Sequence, residues 1–598
     1  MSLIKPTIFI DLISTFWVTI ITMIFLIWLP MSGVKVRGDL KVDFAGLNSP
    51  NYRVELLGLW LRNICSILMG VLILGHFNLL NWLTLTAVYC IFIFINNLKT
   101  YGWKINFVRE NIQNKVINLV DFLDRGLSFT EAIKRAINKS GKTEQILSDR
   151  VTDLVSRRGI VFFIFLVAVL GFTLLLRWEY PLAQLRFSHP DNYHSLLVTR
   201  QLLAKNYPEL NYIPVFSALG AIVSLLGSIE PMQTIRFLSP LVGILLVIST
   251  GYVICIFTNN IYSALVGMFA LGVYLFTIEI NSLNIEWLNR IIESLNNSLV
   301  RQWTGSELEL GAIFLLLGLA YCFNSNLTQQ KTLAFQVNLL CSILLVAISA
   351  PPLLIIFAIA SIGLIGDKQL TLTAIVLTWI ILAVFAAMSQ GELLWLQSFL
   401  KTLPVALSLL AGLLFTVISD TFKIFIPQWS EIFCLGIVFS LSINFLLPLP
   451  PNLTYVEYDM AARKSLEIKN LFSPQNWTLV APVEQLAEIY GAGWYQDLAL
   501  FVEQYGDKAK KAGFDFPVSG DDLFIMVEKI PFVTFPNEPD TLPHNVLSDR
   551  TYQYYRSSAG RASLEYEALK MCEAYARYHR NSSIYYEDRE LRIYHFII

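Results

Sequence analysis

The chain has 598 residues, of which 55% are hydrophobic and only 15% charged, and its mean hydropathy is +0.56. Soluble globular proteins carry about 25% charged residues, so a water-soluble globule is excluded for most of the length. The net charge of −1 leaves no basic excess to neutralise phosphate and excludes a nucleic-acid partner.

Apolar runs dominate residues 1–450. Segments 369–389 and 432–451 hold no charged residue at all. Hydrocarbon explains such runs, because an ionised side chain at a bilayer centre costs at least ~2.5–3.5 kcal/mol. A helix needs about 20 apolar residues to cross. By that measure, spans are expected at 8–30, 57–76, 80–98, 159–177, 237–257, 261–280, 311–323, 333–350, 352–366, 369–389, 398–418 and 431–450. Segment 214–229 is a further span or an interfacial helix. The fold class is a polytopic α-helical membrane protein with about 12–13 transmembrane helices and a C-terminal soluble α/β domain. The first run, Thr7 to Leu29, lacks a small-residue cleavage site and is read as a retained helix. Of the seven cysteines, Cys65, Cys90, Cys255, Cys322, Cys341 and Cys434 lie in apolar runs and Cys572 in the soluble part. Without a CxxC they read as packing residues.

Lysine and arginine placement sets the direction. Segment 99–158 carries twelve basic residues against seven acidic ones and is expected in the cytoplasm. Loop 31–56, with Lys35, Arg37, Lys41 and Arg53, falls on the same side. Counting onward, loops 178–236, 281–310 and 390–397 and the tail after Pro451 fall outside. Within 104–157, Val116, Leu119, Val120 and Leu123 share one helical face. That stretch suits amphipathic helices held on anionic membrane lipid, or a solvated charged linker. The domains are 1–98 (N-terminal spans), 99–158 (cytoplasmic basic segment), 159–450 (the main transmembrane domain) and 451–598 (extracytoplasmic α/β domain).

Two outer segments carry the polar chemistry. The first reads Phe187-Ser188-His189-Pro190-Asp191-Asn192-Tyr193-His194, then a helix-like run to Arg200, and later Tyr207-Pro208 and Tyr212-Ile213-Pro214. An aspartate at a helix start beside a span either caps that helix or faces water as a base or metal ligand. His189, Asp191 and His194 fit no zinc-ligand spacing. The second segment reads Arg301-Gln302-Trp303-Thr304-Gly305-Ser306-Glu307-Leu308-Glu309-Leu310-Gly311. In an extended or turn conformation, Glu307 and Glu309 aim at one cation. Alternatively Ser306 caps a helix whose positive end favours both glutamates.

These two segments resemble the C-type (GT-C) membrane glycosyltransferases, in particular the catalytic subunit of oligosaccharyltransferase and its bacterial relatives, and polyprenyl-phosphate-sugar-dependent enzymes. Arg301, Gly305, Ser306 and Gly311 match the family's second outer segment. Asp191 with Tyr193 and His194, followed by Tyr207-Pro208, resembles its first. The resemblance covers about residues 159–450 and the plan of a C-terminal outer domain. The acidic pair is shifted by one position, so that Leu308 and Leu310 occupy the family's slots. The Trp-Trp-Asp motif is absent, with Trp494-Tyr495-Gln496-Asp497 the nearest approach, so asparagine-sequon recognition is not implied.

The resemblance implies transfer of a sugar from a polyprenyl-(di)phosphate carrier to an acceptor of unspecified class on the extracytoplasmic face of a bacterial cytoplasmic (inner) membrane. It implies Asp191 and His194 as catalytic groups, and Asp191, Glu307 and Glu309 as ligands of Mg²⁺ or Mn²⁺. Arg301, Arg236 and Arg200 become phosphate partners, and Glu392 and Tyr193 further site residues.

The tail has ordinary soluble composition. Strands are expected at Thr478–Val480 and Leu523–Val527, helices at Val483–Tyr490 and Ala559–His579, and a hairpin at Ser583–Tyr586 with Leu591–Phe596. The Pro-rich break at 448–451 predicts an independently folding unit. Tyr490, Trp494, Tyr495, Tyr552, Tyr554, Tyr555 and Tyr566 suit either core packing or stacking on sugar rings. Two other functions compete with transfer: a transporter or flippase for a lipid-linked substrate, and a non-catalytic membrane scaffold. A transporter would show internal repeats and charge within spans. Here no clear repeat is present, and the acidic residues gather in outer loops.

Overall fold

The computed structural model describes residues 7–24, 50–90, 157–207, 212–276, 285–324, 332–363, 367–389, 393–426, 429–443, 457–482, 484–530, 558–579 and 581–598. The expected cytoplasmic segment 99–158, save Arg157 and Arg158, the amphipathic face at Val116–Leu123 and the candidate Glu392 lie outside the described residues.

Among the described residues, six helices are long and apolar enough to cross a membrane: Glu55–His76, Val161–Ala183, Pro231–Thr258, Glu307–Asn324, Lys368–Met388 and Leu403–Phe422. Shorter apolar helices occupy Ile13–Thr22, Val215–Gly227, Ile261–Gly272, Leu333–Ser349, Pro351–Ser361 and Ser430–Ser440. The architecture is that of a helical membrane protein with a small C-terminal sheet domain. Each of these twelve apolar helices overlaps a run expected from hydropathy, and Val215–Gly227 is a short buried helix.

Helix Pro231–Thr258 is the axle of the bundle, packing against Ile261–Gly272, Glu307–Asn324 and Leu403–Phe422. Small residues permit the close approach. A Cβ on Gly267 would meet the Ile254 side chain at 2.1 Å, and one on Gly412 would meet it at 2.8 Å. Ser263 and Thr416 add a hydroxyl–hydroxyl bond of 2.7 Å across the same seam. On the outer surface, Leu370, Leu377, Ile381 and Phe385 stay exposed along Lys368–Met388. In water such a stripe would aggregate, whereas hydrocarbon suits it.

The tail forms a five-stranded sheet in the order β2-β1-β3-β5-β4, with β1 at Trp477–Ala481, β2 at Trp494–Asp497, β3 at Asp522–Glu528, β4 at Ser582–Glu587 and β5 at Leu591–Ile597. β1 runs parallel to β2 and β3, while β5 is antiparallel to β3 and β4. Both faces are covered. Helices Leu498–Tyr505 and Ser558–Tyr578 cover one face, and Asp459–Leu471 and Glu484–Ile489 the other. The sequence reading located β1, β3, the hairpin and the long helix, and missed β2 with its flanking helix.

The tail is less independent than its composition suggests. Ala462 and Ala487 belong to the same apolar core as the spans. The aromatic residues divide. Tyr490 accepts a 2.6 Å bond from Asn206 of the bundle side, Trp494 is half exposed and donates to the Gln475 carbonyl, and Tyr566 is exposed. Tyr552, Tyr554 and Tyr555 lie outside the described residues.

The segments expected to share one side of the membrane do meet. Ser294 donates to the Leu400 carbonyl (2.9 Å) and Arg290 to that of Ala387 (3.3 Å), joining 285–304 to 387–401. Asn192 donates to the Thr304 carbonyl (3.0 Å), and Lys469 of the tail pairs with Glu230 at 2.8 Å.

Candidate functional site

Helix Pro190–Leu203 starts two residues earlier than an Asp191 cap would place it. His189, in an extended conformation, is the cap, and its Nδ1 accepts from the Asp191 N–H at 3.2 Å; Pro190 takes the first helical position. Asp191 therefore sits in the first turn, where the helix dipole favours a negative charge. Its carboxylate lies 3.4 Å from His189 Nδ1 and is 51% exposed. The cap reading of Asp191 is corrected, because the local geometry does not require its carboxylate.

Asn192 docks this turn by donating to the Thr304 carbonyl, which also accepts from Ser239 Oγ at 2.7 Å. The next residue, Gly305, has φ +63. That turn lets the chain leave helix Ser298–Thr304 and enter Glu307–Asn324. Ser306 Oγ accepts from the Glu309 N–H at 3.4 Å, as a capping serine does. Both glutamates thus occupy the first turn of a helix.

A helical start separates them. Residues two apart point about 200° away from each other on a helix of 3.6 residues per turn. Glu307 turns toward the Asp191 loop. It feels the Asp191 charge and receives the Phe216 N–H, while its Oε1 is buried without a partner. Tyr212 feels the charges of both Glu307 and Asp191, and its hydroxyl lies 2.7 Å from His194 Nε2. His194 Nδ1 is buried without a partner. Burial pulls its imidazole below the ordinary histidine value, with Asp191 opposing. Asp191, His194, Tyr212 and Glu307 therefore surround one spot, on the side where the tail domain sits.

Glu309 belongs elsewhere. It is buried beside Arg301 and Arg177, at a cavity of about 30 Å³ that Arg301, Ser306, Lys401 and Thr402 also line. Such a volume holds about one water. Among the described residues no group of three or more His, Cys, Asp or Glu side chains is placed to hold a metal. Because the helix start turns Glu307 and Glu309 to different sides, it does not bring both carboxylates to the Asp191 turn.

Two of the three expected phosphate partners are committed to other groups. Arg200 is buried and paired with Glu230, which Lys469 also holds. Arg236 is buried, donates to Gln233 at 3.2 Å and lies over the Phe237 ring. Arg301 donates to the Ser294 carbonyl and to its Oγ at 3.3 Å, yet still lines the Glu309 cavity with Lys401. Tyr193 does not face the site either. It is buried, and its hydroxyl donates to Glu457 of the tail and accepts from the Phe187 N–H at 3.2 Å.

Sequence reasoning missed Arg177, Tyr212, Lys401 and Glu457. Arg177 is fully buried and donates to the Gly272 carbonyl (2.9 Å), the Leu271 carbonyl (3.2 Å) and Gln302. A lone arginine near the end of an otherwise apolar run was the available signal. For Glu457 the sequence offers none. No protein-family model matches the chain, and no curated protein matches it.

Proposed function

We propose that the chain is a membrane glycosyltransferase of the GT-C kind, moving a sugar from a polyprenyl-(di)phosphate carrier to an acceptor on the extracytoplasmic face. One observation carries the reading: the Asp191 turn and the Glu307 turn, 116 positions apart by their numbers, converge with His194 and Tyr212 beside the apolar bundle. An aqueous acceptor reaches the half-exposed Asp191, and a lipid-borne donor arrives from the bundle side.

In the proposed reaction the acceptor oxygen attacks the anomeric carbon and the bond from that carbon to the phosphate oxygen breaks. The acceptor proton passes to the Asp191 carboxylate, and the carrier phosphate leaves with its negative charge. Glu307 holds the acceptor through hydrogen bonds, and the neutral His194 fixes Tyr212. Arg301 and Lys401, which line the Glu309 cavity two residues along the same helix start, contribute positive field for the departing phosphate.

The test is transfer in liposomes from polyprenyl-phosphate and polyprenyl-diphosphate sugars. The wild type should transfer from one of the two. Asp191→Asn should lose about 10²–10⁴-fold in rate, the size of general-base assistance. Wild-type protein inert with both donor classes, or an Asn variant at full rate, refutes the reading. Sidedness is tested by a cysteine introduced at Gly141: labelling by an impermeant reagent on intact cells would reverse the orientation.

A further inference from the structure

The helix that carries Asp191 and His194 is gripped from behind by the tail domain. Tyr193, between those two residues, donates its hydroxyl to Glu457, which is 0% exposed. The other Glu457 oxygen accepts from Gln485 of the tail. Just upstream, Arg186 donates to the Glu457 carbonyl at 3.0 Å, and the N–H groups of Leu185 and Arg186 both meet the Asp459 carboxylate. At the other end of the helix, Arg200 is joined through Glu230 to Lys469. Two anchor points thus bracket the Asp191 helix, and both lead into helices Asp459–Leu471 and Glu484–Ile489 or the residues just before them.

We propose that the tail domain positions the Asp191 helix for transfer, with Glu457 as the positioning residue that acts through Tyr193. The part of this claim that concerns transfer rests on the glycosyltransferase reading; the mechanical part does not. Successive side chains on a helix diverge by about 100°, so Tyr193 turns away from the spot that Asp191 and Glu307 share. Glu457 therefore touches no substrate. It acts by fixing the rotation and tilt of the first turn, where Asn192 must meet the Thr304 carbonyl for Asp191 to face Glu307. A displacement of about 1 Å at reacting groups is enough to cost about 10²-fold in rate. A buried tyrosine hydroxyl stripped of its acceptor gives the helix a reason to move.

The experiment uses the full chain in nanodiscs and compares Glu457→Ala, Glu457→Gln and Tyr193→Phe. Amide hydrogen exchange is read over 190–203 against 231–258, beside kcat and KM for the donor. In Glu457→Ala, exchange at 190–203 should rise about tenfold, as loss of one buried hydrogen bond implies. Exchange at 231–258 should be unchanged, and kcat should fall with KM nearly constant. Glu457→Gln should restore both measurements, because Gln485 Oε1, buried without a partner, can turn to accept from the new amide. Tyr193→Phe tests the same tie should Glu457→Ala fail to fold. Unchanged exchange at 190–203 in both Glu457→Ala and Tyr193→Phe overturns the proposal. So does a uniform rise across the chain, or a Gln variant as impaired as Ala. Selective loosening in a protein whose wild type transfers no sugar would sink the glycosyltransferase reading and leave the grip standing.

Discussion

Replacing Gly305 with alanine adds one methyl group at the joint between the Arg301 helix and the Glu307 helix. The backbone there has φ 63 and ψ 131, a combination that a side chain strongly disfavours. Asparagine, which tolerates the left-handed helical region, gains nothing at this ψ. The strain costs about 1–3 kcal/mol. The new Cβ would also stand 2.6 Å from the Phe216 ring and 2.6 Å from Ser239 Oγ. Phe216 and Ser239 are both fully buried, and overpacking of that kind adds about 1–3 kcal/mol. The sum is about 2–6 kcal/mol. Relief requires Phe216 to retreat, which withdraws its N–H from Glu307, or Ser239 to swing off the Thr304 carbonyl that also anchors Asn192. Stability and the Asp191–Glu307 approach should fail together. Thermal melting of the detergent-solubilised chain should show a drop of several degrees, and transfer should fall with it. A Gly305→Ala variant that melts within about 1 °C of wild type would refute the strained-joint reasoning.

The other expectations follow from the same geometry. Asp191→Asn should leave the melting temperature nearly unchanged, since His189 makes the cap and an exposed first-turn charge is worth only about 0.3–1 kcal/mol; a large drop would show a structural role. Arg177→Met should destabilise by about 1–3 kcal/mol, because it strips the buried Leu271, Gly272 and Gln302 acceptors of their donor and leaves Glu309 with Arg301 as its remaining guanidinium; a Glu309→Gln change in the same chain should recover part of the loss, and a strictly additive double variant would deny the coupling. The docking of the tail should weaken in alkali. Burial lifts the carboxyls of Glu457 and Glu488 above the usual range; the Glu488 charge raises Glu457 further, whereas the bond with Glu457 and the Arg200 charge only partly offset burial at Glu488, with Tyr193, Glu484 and Glu230 as the other titratable groups facing the pair. Carboxyls raised in the folded state stabilise it fully below about pH 4.5 and lose that contribution as pH climbs past their folded values. Melting measured from pH 6 to 9 should decline in the wild type and flatten in Glu488→Gln. Glu230 runs the other way: burial would raise it, but Arg200 and Lys469 outweigh that and hold it low, so its contribution is lost in acid.

The legible parts of the sequence were those set by local patterns. Apolar run length located the apolar helices because hydrocarbon tolerates nothing else, and short apolar, β-branched and aromatic runs located β1, β3 and the hairpin. The convergence of Asp191 with Glu307 was legible only through paired motifs. The assignment of Arg200 and Arg236 to phosphate failed because their partners were not local or not charged. Glu230 lies 30 positions from Arg200 and Lys469 lies 239 from Glu230, and burial of both arginines follows from the packing of the whole bundle. Tyr193 was flagged for its neighbours, yet its true partner, Glu457, is 264 positions away. Helix phase, which sends Asp191 and Tyr193 to different sides, decided their separate roles.

Phase also resolves the acidic pair. Had the chain stayed extended from Ser306 to Leu310, Glu307 and Glu309 would have shared a face, since extended side chains alternate with period two. The helix begins at Glu307 because Gly305 makes the turn and Ser306 caps it, so period two becomes divergence. Each carboxylate then meets a different need. Arg177, fully buried at the end of its span, has carbonyl and amide acceptors from Leu271, Gly272 and Gln302 but no counter-charge among them. Glu309 supplies it, with Arg301 on the other flank. Glu309 therefore faces the two guanidiniums and not the Asp191 turn. Glu307 has only backbone N–H donors and a like charge nearby. Of the two, it is the one turned toward the Asp191 turn, so a spacing of two residues places one carboxylate against the buried arginines and the other against the Asp191 loop.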